Sequence, residues 1–171
     1  MTKDNKKGMI NMETIKTTTD KAKEMRKEIK NQLGYTARQV SVKKTSYESI
    51  CVTVKDYKVN FNEVEKIANQ FEDVSYDEFT GEILLGGNTY IDVRNESINP
   101  EYLDKAKQIY EQVETNKKIN GTYTINDEMK VKLIVNKNDD LNRAYIQTKD
   151  KEQLVINFNE VKLANYMTML L

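Results

Sequence analysis

The apolar positions of the chain change period several times, and each change predicts an element. Ala22, Met25, Ile29 and Leu33 step by three, four and four, one face of a helix. Thr18, Thr19 or Asp20 is its expected N-cap, and Gly34 stands where a C′ glycine closes a helix. The period then drops to two. Val40 and Val42 alternate with Ser41 and Lys43, and Ile50, Val52 and Val54 alternate with Cys51, Thr53 and Lys55. With Thr45–Ser49 as the turn, the two runs predict an antiparallel hairpin. Asn60 followed by Glu63 is a capping-box pattern, and Val64, Ile67, Ala68 and Phe71 give the next helix its buried face. Glu82–Leu85 and Thr89–Arg94 flank Gly86-Gly87-Asn88, which predicts two further strands joined by a tight turn.

Asn99-Pro100 opens another helix, with proline at its first position and Leu103, Ala106, Tyr110 and Val113 on its inner side. Beyond Gly121, four alternating runs follow: Tyr123 and Ile125, then Val131, Leu133 and Val135, then Ala144–Thr148, then Leu154–Phe158. Residues 136–140 make a polar turn within this series. Asn159 is the expected cap of a last helix burying Val161, Ala164, Met167 and Leu170. The pattern predicts an α+β fold. A polar tail occupies residues 1–13, and an α-β-β-α-β-β lobe with an antiparallel sheet occupies 14–96. A linking helix spans 97–120, and a β-meander with a terminal helix spans 121–171. Asn60-Phe61-Asn62-Glu63-Val64 recurs as Asn157-Phe158-Asn159-Glu160-Val161. The echo reads either as a junction repeated by chance in an Asn/Lys/Glu-rich chain or as a decayed duplication.

Composition narrows the chemistry. The 171 residues include no histidine, no tryptophan and one cysteine, Cys51, at a mean hydropathy of −0.75. This excludes histidine-based nucleophile systems and the common zinc sites, and with them an internal disulfide or an iron–sulfur cluster. Gly81–Asn88 has the glycine spacing of a phosphate loop, but Gly87 and Asn88 stand where lysine and a hydroxyl residue are required. A calcium loop starting at Asp73 fails because Glu78 replaces glycine and Leu84 replaces glutamate. A looser magnesium or nuclease site from Asp77, Glu78 and Glu82 is outweighed by a solvated acidic loop. Cys51 is expected on the strand face opposite Ile50, Val52 and Val54. No catalytic residue, metal ligand or cofactor site is assigned, and the chain is expected not to be an enzyme. Met1–Gly8 carries charge without an apolar stretch behind it, no run approaches the ~20 apolar residues of a membrane span, and a lone cysteine suits a reducing cytoplasm.

The formal charge of zero conceals a division along the chain. Residues 1–44 hold 12 basic and 5 acidic side chains, residues 45–101 hold 4 and 12, and residues 102–171 hold 11 and 10. Two candidate surfaces follow. The acidic section (Glu72, Asp73, Asp77, Glu78 and Glu82, with Tyr76) is a candidate partner-binding surface that presents negative charge to a basic groove. The basic section (Arg26, Lys30, Arg38, Lys43 and Lys44) offers contacts to nucleic-acid phosphates or to a partner. Lys30–Val40 also has the outline of a helix-turn-helix, interrupted when β-type alternation begins at Ser41. Tyr57, Tyr76, Tyr90 and Tyr145 are candidate anchors at an interface.

Several segments resemble the large polyvalent protein-associated domains of phages and plasmids. They are Arg26–Lys30, Val40–Lys43, Ile50–Asp56, Val64–Ala68 and, most specifically, Thr80-Gly81-Glu82-Ile83-Leu84-Leu85-Gly86-Gly87-Asn88-Thr89-Tyr90-Ile91-Asp92-Val93. The resemblance covers residues 14–96. It implies an α+β fold and a counter-defence setting, among proteins that include anti-CRISPR proteins, and it brings no catalytic residues. The expectation is therefore a non-enzymatic inhibitor in the cytoplasm of a bacterial host. It would bind an RNA-guided CRISPR nuclease stoichiometrically and block DNA binding or cleavage. The competing expectation is a nucleic-acid-binding accessory protein or transcriptional regulator of a mobile element.

Overall fold

A computed structural model describes residues 16–116, 120–135 and 142–170. The expected tail 1–13 and the turn 136–140 lie outside these residues. The fold is α+β, with two sheets, each covered by two helices.

The first core gathers α1 (Thr18–Leu33), β1 (Val40–Lys44), β2 (Ser49–Val54), α2 (Phe61–Asn69) and β3 (Tyr90–Asn95). Thr17 caps α1, one residue earlier than the sequence predicts. Its hydroxyl donates to the Asp20 carboxylate at 2.6 Å and accepts from the Asp20 N–H at 3.2 Å. Thr18 is thereby freed to turn inward, where its hydroxyl donates to the Tyr47 carbonyl. Gly34 ends the helix at φ 74°, a left-handed conformation that suits glycine. Ala22, Met25 and Ile29 are buried as their spacing requires. β1 and β2 pair antiparallel as predicted, with Val42 opposite Val52. Asn60 caps α2 through the Glu63 N–H, but the capping box is not closed by Glu63. The N–H of Asn60 donates instead to the Tyr35 hydroxyl at 3.1 Å.

The predicted four-stranded antiparallel sheet has three strands, in the order β1-β2-β3, and β3 joins β2 in parallel with Val52 opposite Val93. Glu82–Leu85 is not a sheet strand; it makes one isolated bridge, Tyr76 with Ile83. The reason lies in the side chains. Ile83, Leu84 and Leu85 are consecutive apolar residues with no polar alternation, so no single face exists to bury against the helices, and all three remain exposed. The chain crosses over through α2 and the following loop, which returns it to the sheet parallel to β2.

The second core gathers α3 (Pro100–Asn116), β4 (Gly121–Thr124), β5 (Met129–Val135), β6 (Asn142–Thr148), β7 (Glu152–Ile156) and α4 (Glu160–Met169). The strands form the predicted meander, antiparallel throughout, in the order β4-β5-β6-β7. Val131, Leu133, Ala144, Ile146 and Val155 face α3 and α4. Pro100 begins α3, whose fully buried residues are Tyr102, Ala106, Ile109 and Val113, while Leu103 and Tyr110 pack at the rim. Asn159 caps α4 as predicted. The buried face of α4 is rotated from the expected one: Leu163, Ala164, Met167 and Thr168 point inward and Val161 is 50% exposed.

The seam between the cores runs along α4 and is mostly polar. Asn62 donates to the Met169 carbonyl and accepts from the Lys151 ammonium. Asn165 donates to the Asn95 carbonyl, and the Asn99 N–H donates to the Thr168 hydroxyl. Helix side chains also occupy the sheet edges. Arg26 donates to the Val42 carbonyl on β1, Lys162 to Ile156 on β7, Asn165 to Asn95 on β3, and Lys105 to Ile125 just past β4. The rotated face of α4 is testable by denaturant unfolding: Leu163→Ala should lose about 2–5 kcal/mol, and Val161→Ser should change stability by less than about 0.5 kcal/mol.

Candidate protein-interaction loop

Between α2 and β3, residues 72–89 carry five carboxylates and no basic side chain. Their backbone is held in rungs. At the base, the Thr89 N–H donates to the Asp73 carbonyl at 2.6 Å and the Asp73 N–H to the Thr89 carbonyl at 3.0 Å. Lys21 of α1, only 13% exposed, reaches both the Asp73 carboxylate and the Thr89 hydroxyl at 3.0 Å and fastens the loop to the helix. The next rung is a side chain. Asn88 is 4% exposed; its Oδ1 accepts from the Ser75 N–H at 3.0 Å, and its Nδ2 donates to the Leu84 carbonyl at 2.8 Å. Above it the Leu84 N–H donates to the Ser75 carbonyl and the Asp77 N–H to the Glu82 carbonyl. Gly86 and Gly87, at φ 91° and 79°, let the chain double back to bring Asn88 under this ribbon.

Asp77 organises the tip. Its Oδ1 accepts from the Thr80 N–H at 2.8 Å, the Phe79 N–H at 2.9 Å and the Thr80 hydroxyl at 3.1 Å. These donors, the Thr80 N–H foremost, hold its carboxyl below the usual carboxylate range. The turn they make leaves Phe79 97% exposed. Leu85 is fully exposed, and Tyr76, Ile83 and Leu84 stand about half out of the surface. A hydrogen-bonded ribbon thus presents apolar side chains among carboxylates, outside either hydrophobic core.

All six acidic-section candidates fall in this one loop, and the structure divides their work. Asp73 is paired with Lys21 and Asp77 holds its own turn, whereas the Glu72, Glu78 and Glu82 side chains have no partner among the described residues. The sequence pattern does not single out Phe79, Ile83, Leu84 or Leu85; for the last three the available signal is the unalternated run 83–85, whose apolarity predicts a strand instead. Of the candidate tyrosines only Tyr76 lies on the loop. Tyr90 is half-buried beside Asn88, Tyr57 lies under the Lys58 ammonium, and Tyr145 sits opposite Leu154 in the second sheet. The most exposed tyrosine, Tyr47, is unpredicted and lies 4.8 Å from the Lys44 ammonium.

The basic candidates are separated. Arg26, Lys30 and Lys43 line a groove between α1 and β1, Arg38 is exposed on the turn before β1, and Lys44 lies by Tyr47 at the far end of the strand. The helix-turn-helix outline is not realised: residues 37–39 form a turn that leads directly into β1. Cys51 lies on the outer face of its sheet, as predicted, between Lys43 and Asp92 on the neighbouring strands. Among the described residues no group of three or more Asp, Glu or Cys side chains is placed to hold a metal ion, and no helix is long and apolar enough to cross a membrane. No protein-family profile, curated protein or solved structure matches this chain.

The bonds at Asp77 are made to its charged form. They are therefore complete above the ordinary carboxylate range, and they fade as pH falls through the lowered folded-state value, below about pH 4. NMR amide resonances of Phe79 and Thr80 should move together in that window. In Asp77→Ala the same amides should be displaced and exchange faster at neutral pH, whereas Asp77→Asn, which keeps an acceptor, should fall between the two.

Proposed function

We propose that this protein is a mobile-element-encoded inhibitor that works by stoichiometric protein binding, with the 72–89 loop as its main contact. The observation that carries the reading is the exposed apolar content of this acidic loop: Phe79 and Leu85 stand free of the protein's own core, on a segment whose Glu78 and Glu82 side chains have no partner among the described residues. Residues of this kind suit a basic site with an apolar floor. The aromatic and aliphatic side chains fill the floor, and the carboxylates set approach and orientation. Because the rungs fix the loop beforehand, little ordering opposes binding. The target we propose is an RNA-guided CRISPR nuclease of the bacterial host, whose DNA binding or cleavage the bound inhibitor obstructs. That step is supported by the resemblance of residues 14–96, most specifically Thr80–Val93, to phage and plasmid polyvalent-protein domains. The same Thr80–Val93 stretch contains Leu85, Asn88 and the Thr80 that caps the Asp77 turn.

The test is binding and DNA cleavage measured against a panel of purified CRISPR nucleases. One nuclease should be inhibited at about one inhibitor per enzyme. Phe79→Ala with Leu85→Ala should weaken that binding by about 10–100-fold, roughly 1.4–3 kcal/mol, with Tm unchanged because neither side chain is buried. Failure of every nuclease to bind, or full inhibition by the double variant, contradicts the proposal.

A further inference from the structure

A second surface stands apart from the loop. On α1, Lys23, Arg26, Lys27 and Lys30 are all exposed at positions i, i+3, i+4 and i+7, a stripe along roughly 10 Å of helix. The acids of α1 do little to neutralise it. Glu24 pairs with Lys16, Glu28 accepts from Gln32, and Asp20 bonds Thr17 and stands 3.7 Å from Lys23 alone. Lys27, Lys30, Arg38 and Lys43 have no partner among the described residues. Beside the stripe lies the groove between α1 and β1, about 260 Å³, with Ile29 and Tyr35 among its lining and Arg26, Lys30 and Lys43 around it. Arg26 is fixed there by two donors on the Val42 carbonyl, at 2.7 and 3.0 Å.

We propose that this groove and stripe bind single-stranded nucleic acid. A line of cations matches a repeating anion better than a single carboxylate, and a nucleic-acid strand carries one charge about every 3.4 Å in B-form geometry. The half-buried ring of Tyr35 supplies what phosphates do not need: an aromatic surface against which one unstacked base packs. A groove of about 260 Å³ is of a size to take one base, which a single strand can turn outward and a paired duplex does not offer. The site uses no residue of the 72–89 loop, so it stands or falls independently of the inhibitor reading.

Fluorescence anisotropy with a labelled mixed-sequence 12-mer tests it on the full chain, as single-stranded DNA, single-stranded RNA and duplex, with an acidic peptide of equal charge as competitor. The single strands should bind more tightly than the duplex, with a log–log salt slope of about −2 to −3 for three or four phosphate contacts. Lys30→Glu with Lys43→Glu should weaken binding at least tenfold at unchanged Tm. Lys107→Glu, which reverses a paired lysine on α3, should change it less than twofold. Absence of oligonucleotide binding, preference for the duplex, equal competition by the peptide, or an equal loss in Lys107→Glu each overturns the proposal.

Discussion

The buried amide of Asn88 is the interaction on which the exposed loop depends. One side chain satisfies the N–H of Ser75 and the carbonyl of Leu84, on opposite arms of the ribbon, while itself nearly sealed from water. Its removal would leave both backbone groups unpaired at the base of the ribbon, a penalty of about 1–3 kcal/mol for each one kept from water. Lys21 extends the same constraint to α1 through Asp73 and Thr89. Together they allow a segment without a core of its own to hold apolar side chains outward. An unconstrained chain of this composition would fold Phe79 and Ile83–Leu85 back onto the protein or lose any fixed shape.

The rest of the molecule makes that loop the more available surface. Short open sheets invite strand addition, yet Arg26, Lys105, Lys162 and Asn165 occupy carbonyls on or beside the edge strands. Each of these contacts takes up a carbonyl that an added strand would otherwise use. The polar seam along α4 joins the two cores through Asn62, Asn99, Asn165 and Thr168, which gives the first lobe a support on the side of α2 and β3.

Much of the architecture is legible in the sequence because the local signals are physical requirements. Gly34 adopts the left-handed conformation its position demands, Asn60 and Asn159 cap, and strict alternation at Val40–Val54 places every valine inward. Legibility fails where tertiary geometry decides. Nothing local tells that β3 returns parallel to β2, or that α4 turns Val161 outward. The repeated pentapeptide shows the limit well. Phe61 and Phe158 are both buried, but the first helix is capped by Asn60 and the second by Asn159, two places later in the repeat, with Asn157 at φ 48°. The common constraint is the buried phenylalanine, and the helix start adapts to it. At the candidate site the charges were legible and the apolar tip was not, since an unalternated Ile-Leu-Leu run normally reports a buried strand.

If residues 72–89 are the contact surface we propose, they are held in shape before any partner arrives. Hydrogen–deuterium exchange of the full chain, alone and with any CRISPR nuclease that it is found to inhibit, tests this most directly. The account predicts that amides at the Asn88 rungs are already slow in the free protein, and that binding adds protection concentrated at residues 76–86. Fast exchange across the whole loop in the free chain, or binding-induced protection elsewhere with residues 76–86 unchanged, would contradict it.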